Sequence, residues 1–176
     1  MDGILARRAT NGFAISLPPT AVSGPMTVAA VFPRIARVNH SCLPNASQAI
    51  NLQTLRMEVF ATAPIPAGAE INISYLALIT STAAERSAAL KEHFGFGQCR
   101  CRLCAADEPT VRASDARRIE IKALVDGMLA GARDRKATIE KMARVAALVE
   151  EEGYQGLPEF GESLQHGGTL LLDRTR

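Results

Sequence analysis

Apolar positions alternate with polar ones over short distances up to about residue 80, and they recur at helical spacing beyond residue 82. In the first part, runs of β-branched and apolar residues are bounded by proline, glycine and asparagine, which is typical of short strands. The predicted strands are residues 12–17, 47–53, 55–62 and 71–76. Pro64, Pro66 and Gly68 favour a tight connection between the last two of them.

A helix is predicted immediately after these strands. Thr82 and Glu85 have the spacing of a capping box, and the segment that follows continues as a helix to Phe94. Gly95 and Gly97 then supply the residue type that commonly ends helices. The texture of the chain therefore changes from strand and loop to helix at residue 82.

Two further helices, residues 113–131 and 136–153, are predicted in the last third of the chain. Each has an apolar stripe at intervals of three and four residues. The stripes consist of Ile121, Leu124, Val125 and Met128 in the first helix, and of Ile139, Met142, Ala146 and Val149 in the second. Two such helices are expected to pack as an α-helical hairpin. The tail up to residue 176 has no clear period and receives no assignment.

The composition narrows the class of protein. With 47% apolar and 22% charged residues, the chain is typical of a soluble globular protein. A net charge of +2, with basic residues dispersed among acidic ones, argues against direct nucleic-acid binding. Its apolar runs are much shorter than the ~20 residues that span a bilayer, and its start lacks the apolar core of a signal peptide. We expect a protein of the nucleus or cytoplasm that binds neither nucleic acid nor membrane.

Three of the four cysteines lie within six positions, at Cys99, Cys101 and Cys104. In a reducing compartment, clustered thiols bind metals more often than they form disulfides, and structural zinc takes four ligands. An open catalytic zinc is disfavoured because no carboxylate base neighbours the cluster. The candidates for the fourth ligand are His93, His40 and Cys42.

A polar run, "NHSCLPN" at residues 39–45, surrounds one of these candidates. It is followed by a strand pair, by "GAEINISY" at residues 68–75, by a helix, and by "FGF" and "CRCRLC". This order of motifs resembles the C-terminal half of SET-domain protein lysine methyltransferases, in particular the SMYD-like branch common in fungi. The resemblance covers about residues 10–104, and the helical hairpin is similar to the start of the C-terminal region of that branch.

The resemblance implies a metal site and a cofactor site. In the family, the cysteine of the first motif joins the other three around one structural zinc, which here implies Cys42, Cys99, Cys101 and Cys104. The implied cofactor is S-adenosylmethionine. Its implied contacts are Asn39 and His40 at the adenine and methionine ends, Asn11 near the cofactor, and the ring of Phe96. Tyr75 matches the active-site tyrosine of the family.

The resemblance also implies the fold and its divisions. We expect an α+β protein: a SET-like β-fold of small twisted sheets with a knot-like crossing, a post-SET zinc knuckle and a C-terminal α-helical hairpin. The expected divisions are a partial SET domain (1–94), a post-SET zinc-binding segment (95–108) and a helical region (109–176). The Gly-x-Gly segment of the N-terminal half of the domain is not found, since Gly95 and Gly97 follow the helix. We therefore expect an incomplete chain.

Three functions follow from these patterns. The first is a lysine methyltransferase, presumed monomeric, that uses S-adenosylmethionine to modify a protein substrate, histone or non-histone. The second is a catalytically inactive, zinc-stabilised module that binds proteins. The third, a zinc-knuckle protein that binds nucleic acid, is disfavoured because the chain lacks a basic stripe and exposed aromatic pairs.

Overall fold

A computed structural model describes residues 11–17, 19, 24–76, 79–96, 98–130 and 134–154. The sequence-based assignments for residues 1–10, for Gly97 and for the tail from residue 155 lie outside these ranges. In the described ranges the chain forms short strands, a 3-10 turn at Ile35–Arg37 and three long helices, which confirms the α+β class.

The first sheet pairs strand β1, Gly12–Leu17, with strand β2, Met26–Val31, in antiparallel register. The prediction of a strand at residues 12–17 is confirmed. Phe13 and Ile15 point to the same side because successive strand residues alternate between faces, and Ile15 is buried. This sheet covers one side of the small β-core.

The second sheet is a hairpin of strands β4, Ala46–Asn51, and β5, Arg56–Ala61. These two strands are close to the predicted segments, but the turn between them takes residues that the sequence assigned to strand. The side-chain oxygen of Asn51 accepts hydrogen bonds from the backbone N–H groups of Gln53 and Thr54, which closes the turn.

The third sheet is a two-residue parallel pairing of β3, Asn39–His40, with β6, Asn72–Ile73. The strand predicted at residues 71–76 is therefore much shorter than expected. Asn45 explains part of the local structure, since its side chain accepts from the Asn72 N–H and donates to the Glu70 carbonyl. The polar run at residues 39–45 is thus fixed beside the segment that leads to Tyr75.

Helix α1, Ala83–Phe94, begins and ends as the sequence predicts. The Thr82 hydroxyl accepts from the Glu85 N–H, and the Glu85 carboxylate accepts from the Thr82 N–H, which forms the capping box. Gly95 follows with a φ of 75°, in the left-handed region where glycine is favoured, and its N–H donates to the Lys91 carbonyl.

Helices α2, Glu108–Ala130, and α3, Arg135–Glu152, confirm the predicted hairpin. Helix α2 begins five residues before the predicted start, where the Asp107 carboxylate accepts from the Thr110 N–H. Helix α3 is capped by Asp134, the residue before it, whose carboxylate accepts from the Ala137 N–H. No helix in the described ranges is both long enough and apolar enough to cross a membrane.

The apolar stripe predicted for the second helix is wrong at two of its four positions. Ile139 is 51% exposed, and Ala146 is also exposed. The packed face instead contains Val145 and Leu148 together with Val149, which lie against Ile121 of α2. The buried face is therefore rotated from the predicted stripe, and the two share Val149.

Among the described residues, the buried apolar side chains form three main clusters. One lies inside the hairpin, one lies under the sheets around Ile35, Ala46 and Ile73, and one surrounds the cysteines and Leu90 of α1. We call the last one the cysteine core. Leu43 packs against both the hairpin cluster and the cysteine core, so the loop that follows β3 joins the two.

Candidate functional site

All four cysteine sulfurs converge at one point. The Sγ atoms of Cys42, Cys99, Cys101 and Cys104 all lie within 4.8 Å of one another. Sγ of Cys42 lies 3.9 Å from that of Cys99 and 3.6 Å from that of Cys104. A tetrahedral zinc with bonds of about 2.3 Å holds its sulfurs about 3.8 Å apart, whereas a disulfide bond is only about 2.05 Å long. The arrangement suits a four-thiolate metal site.

The other two candidates for a fourth ligand lie outside this group. His93 is exposed on α1, and its ring packs against Phe94. His40 is close to the cluster, because its Nε2 lies 3.3 Å from Sγ of Cys42. It is not among the four residues whose ligand atoms converge. The fourth position of the cluster therefore belongs to Cys42, which is buried and comes from the loop after β3.

Three of the four cysteines have pKa values shifted away from the ordinary thiol value. Hydrogen bonds with Cys101 and Cys104, together with burial, raise the pKa of Cys42. Burial raises the pKa of Cys99 to about 11. Hydrogen bonds from Cys104 and Cys42 lower the pKa of Cys101. Such a group does not hold four negative charges by itself, and a cation is needed for all four thiols to act as thiolates.

Next to the cysteines, three predicted site residues bring their rings together. The ring centroids of His40 and Tyr75 are 5.2 Å apart, and that of Phe96 lies 6.3 Å from His40 and 6.4 Å from Tyr75. Phe94, which the sequence analysis did not select, is 4.9 Å from the Tyr75 ring. Its position two residues before Phe96 was the only available signal, because aromatic residues at a helix end usually belong to a core.

Hydrogen bonds fix the orientation of His40 and Tyr75. The backbone N–H of Tyr75 donates to Nδ1 of His40, so the neutral imidazole carries its proton on Nε2, which faces the Cys42 sulfur. Burial lowers the pKa of His40 to about 4, which favours this neutral form. The Tyr75 hydroxyl donates to the Val38 carbonyl over 2.7 Å. Burial and the nearby Glu70 raise the pKa of Tyr75, so the hydroxyl keeps its proton at neutral pH.

Two cavities are lined by members of this ring group. The larger, of about 490 Å³, is lined by His40 and by polar residues that include Glu70, Asn72, Arg100 and Arg102. The smaller, of about 230 Å³, is lined by Tyr75 together with Phe13, Phe94 and Asn11. The ring group thus contributes His40 to a polar cavity and Tyr75 and Phe94 to a smaller, more aromatic one.

The two predicted asparagines are not brought to one point. Asn39 points away from His40, because adjacent strand residues face opposite sides, and its Nδ2 donates to Oε1 of Glu70 over 2.5 Å. It reaches the larger cavity only through Glu70. Asn11 lines the smaller cavity. The rings of His40, Tyr75 and Phe96 therefore lie together, whereas the two amides lie elsewhere.

A buried polar network from the hairpin holds the backbone of Cys42. Tyr154 donates its hydroxyl proton to the Cys42 carbonyl, and Arg118 Nη2 lies 3.3 Å from the same oxygen. Glu152 accepts from Arg118 Nε over 2.8 Å and from the Ser114 hydroxyl. We call these four residues the Cys42 clamp. The sequence gives no sign of the Cys42 clamp, because charged helix residues are normally exposed.

Arg86 is a second buried cation, on the face of α1 that meets the cysteines. Its side chain is fully buried, and Nη1 donates to the Ser81 carbonyl over 2.7 Å. Nη1 also lies 3.6 Å from Oδ1 of Asp115. Nε and Nη2 have no hydrogen-bond partner among the described residues. An arginine with two unpaired buried donors is unusual, and such donors point to an anionic neighbour.

Comparison with known families and proteins gives a consistent result. The sequence model of the SET domain matches residues 14–76. This segment covers the three small sheets except for the first two residues of β1, and it ends at the residue after Tyr75.

Several characterised proteins resemble the chain. It is 39% identical over 87 residues to "Histone-lysine N-methyltransferase set5" of Schizosaccharomyces pombe, covering 49% of the chain and 27% of that protein. It is 32% identical over 142 residues to human "N-lysine methyltransferase SMYD2", covering 81% of the chain and 28% of that protein. It is 41% identical over 85 residues to "SET domain-containing protein SmydA-8, isoform B" of Drosophila melanogaster, covering 47% of the chain and 17% of that protein. The chain spans about a quarter or less of the length of these relatives.

Proposed function

The chain carries SET-domain sequence and is related to SMYD-like lysine methyltransferases, and on this premise we propose that it methylates protein lysines with S-adenosylmethionine. The observation that carries the proposal is the group of His40, Tyr75 and Phe96, whose rings lie together, with His40 lining one cavity and Tyr75 lining the other. The proposed substrate is a lysine side chain of a histone or another protein, and the proposed location is the nucleus or cytoplasm.

The four cysteines are assigned to one structural zinc. The convergence of four Sγ atoms within 4.8 Å supports this assignment, and four thiolates leave no open position for catalysis. Residues 95–108 then form a post-SET knuckle that is tied to Cys42. The backbone N–H of Cys101 donates to Sγ of Cys99, which supports a knuckle in which main-chain donors stabilise thiolate charge.

The two cavities are assigned by their size and lining. Sites for small molecules and cofactors usually measure about 300–1,000 Å³, and the larger cavity lies in this range. Its polar residues suit the adenosyl and amino-acid parts of the cofactor. The smaller cavity, with Phe13, Tyr75 and Phe94 in its wall, suits an unbranched lysine side chain. Asn11 is then assigned to the end of the cofactor nearest Tyr75.

S-adenosylmethionine supplies, when bound, an electrophilic methyl group on a sulfonium. The protein's task is then to align the lysine amine with that group and to exclude water, rather than to provide strong acid or base catalysis. Tyr75 suits this task as an orienting group, because its raised pKa makes it a poor base. The aromatic rings around it suit the exclusion of water and the cationic methyl donor.

The knot-like crossing implied by the family resemblance is proposed at the pairing of β3 with β6. The N–H of Ser41 donates to the Ile73 carbonyl, which continues the pairing beyond His40. This contact supports a knot-like crossing in which the polar run passes under the segment that carries Tyr75. The proposed divisions are residues 1–94 for the SET part, 95–108 for the knuckle and 109–176 for the helical region.

The test uses the full chain loaded with zinc. We expect calorimetric heat on titration with S-adenosylmethionine and methylation of lysine peptides detected by mass spectrometry. Tyr75→Phe should keep the binding heat but lose transfer about a hundredfold, as expected when reacting groups are misaligned. His93→Gln is the control, because the His93 side chain is exposed and lies outside both cavities and outside the group of converging sulfurs.

A zinc-loaded chain that gives no heat with the cofactor would refute the enzymatic proposal for this chain. Equal loss of transfer in Tyr75→Phe and in His93→Gln would refute the assignment of Tyr75.

A further inference from the structure

Arg86 combines complete burial with two side-chain donors that have no partner among the described residues. A buried charge is costly unless an opposite charge compensates for it. The carboxylate of Asp115 compensates only in part, because it lies 3.6 Å from Nη1 alone and is itself engaged with the Ala83 N–H over 2.8 Å. The Nε and Nη2 side of the guanidinium therefore requires a second anion.

The helix that carries Arg86 directs it to the cysteines. Leu90 lies four residues later on the same face of α1, and it packs in the cysteine core with Cys42 and Cys99. The pKa of Arg86 is consistent with this position: burial alone would lower it, but the sulfurs of Cys42 and Cys104 raise it. Burial, the helix face shared with Leu90 and the influence of the two sulfurs together place Arg86 close to the cysteine core.

Four thiolates around one zinc ion leave two net negative charges in a buried core, which is costly without a cation nearby. We propose that Arg86 is the resident counter-ion of the four-cysteine metal centre, with its Nε and Nη2 groups directed at the thiolates of Cys42 and Cys104. This inference rests on the proposed zinc site. It assigns a function in metal retention to a residue on α1, outside both cysteine motifs.

The experiment measures zinc affinity in the full chain by competition with the chromophoric chelator 4-(2-pyridylazo)resorcinol. Arg86→Met should weaken zinc binding by about ten- to a hundredfold, the usual effect of removing a group that supports metal ligands. Arg100→Met is the matched control: it removes the same charge between two of the ligands, but its side chain is exposed and water screens it, so we expect less than a threefold change.

Asp115→Asn separates two explanations for Arg86. If Arg86 serves mainly the ion pair with Asp115, this variant and Arg86→Met should lower the melting temperature equally with and without zinc. If Arg86 is the counter-ion, Arg86→Met should shrink the rise in melting temperature that zinc produces, and Asp115→Asn should leave that rise unchanged.

Arg86→Lys covers the case in which Arg86→Met does not fold. The lysine keeps the charge but lacks the two directed donors, so we expect zinc affinity between those of the wild type and of Arg86→Met. Zinc affinity of the folded Arg86 variants within twofold of the wild type would overturn the inference. Wild-type protein that binds no zinc would instead overturn the proposed metal site itself.

Discussion

Cys42 is the residue where the separate parts of the molecule meet. Its sulfur lies in the group of four converging sulfurs, its carbonyl accepts from Tyr154, and Nε2 of the nearby His40 lies 3.3 Å from its sulfur. His40 in turn accepts from the backbone of Tyr75. A change at Cys42 should therefore affect the metal site, the aromatic rings and the hairpin together.

Cys42→Ser tests this position directly. We expect zinc affinity to fall by more than ~10–100-fold, the effect of losing a residue that only supports a metal ligand. The larger effect is expected because Cys42 is a proposed direct ligand. The melting temperature of the zinc-loaded protein should fall with it. Zinc content is measured by atomic emission after dialysis. His93→Gln is the control, since His93 lies outside the ligand group; full zinc content in Cys42→Ser would contradict the four-thiolate assignment.

Some of these residues could be predicted from the sequence and others could not. The cysteine cluster is visible as a spacing, and a resemblance in motif order assigned Cys42 to it. Arg86 and Arg118 could not be found in this way, because a single arginine on a helix is normally solvated. Their burial depends on contacts between α1, the hairpin and the loop after β3, and these contacts have no local sequence pattern.

The hairpin depends on a buried ion pair as well as on its apolar face. Glu152 and Arg118 are almost fully buried, with 2.8 Å between Oε1 and Nε, and Arg117 Nη2 lies 2.7 Å from Oε2 of Glu152. Removing one partner of such a pair leaves an uncompensated buried charge. The Cys42 clamp should therefore be much more sensitive to mutation than the exposed ion pairs of the same helices.

Glu152→Gln should lower the free energy of unfolding by about 3–5 kcal/mol, as expected for a broken buried pair. Glu120→Gln is the matched control, since Glu120 pairs with Arg144 across the same two helices at a half-exposed position. We expect it to cost less than about 1 kcal/mol. Urea denaturation measures both variants, and equal effects would contradict a structural role for the clamp.

The carboxylate of Glu152 should also make the stability of the fold depend on pH. Burial alone would raise the pKa of Glu152, but hydrogen bonds from Ser114 and Arg118 and the charge of Arg118 lower it below its ordinary 4.5. Its contribution to stability is therefore complete above pH 4.5 and is lost as the pH falls through the lower folded value.

In metal-free protein, the stability difference between wild type and Glu152→Gln should shrink as the pH is lowered from 7 to 3. Urea titrations at several pH values measure it. A difference that stays constant over this range would show that Glu152 has no lowered pKa in the folded state.

At the level of elements, the sequence predicted helices better than strands. The capping box and Gly95 determine both ends of α1 locally, so the prediction succeeds. Strand β6 has only two residues because its pairing is decided by Asn45 and by β3, which lie far away along the chain. The exposed position of Ile139 likewise depends on the partner helix rather than on its own spacing.

At the scale of the whole molecule, the proposed metal connects segments that are 57 positions apart in the chain. Removing it should loosen the loop after β3 and residues 98–104, and through Leu43 and the Cys42 clamp it should also loosen the end of α3. The β1–β2 ladder does not contribute to the cysteine core within the described ranges, so it should respond least.

Hydrogen–deuterium exchange with and without chelator tests this expectation. Amides near Cys42, Cys101 and Glu152 should exchange faster in chelator, and those of the β1–β2 ladder serve as the internal reference. Faster exchange confined to residues 98–104 would show that the metal stabilises only its own loop.

The contact between Tyr154 and the Cys42 carbonyl spans 112 positions, and it has a consequence for protein engineering. Trimming the chain after residue 150, as one would to isolate the SET and knuckle segments, would leave that carbonyl without its tyrosine donor. Grafting the two cysteine motifs onto another scaffold would lose the same support. The smallest unit that can be moved to another protein is therefore the pair of cysteine motifs together with the Cys42 clamp. Mutant libraries that vary one of them should hold the other constant.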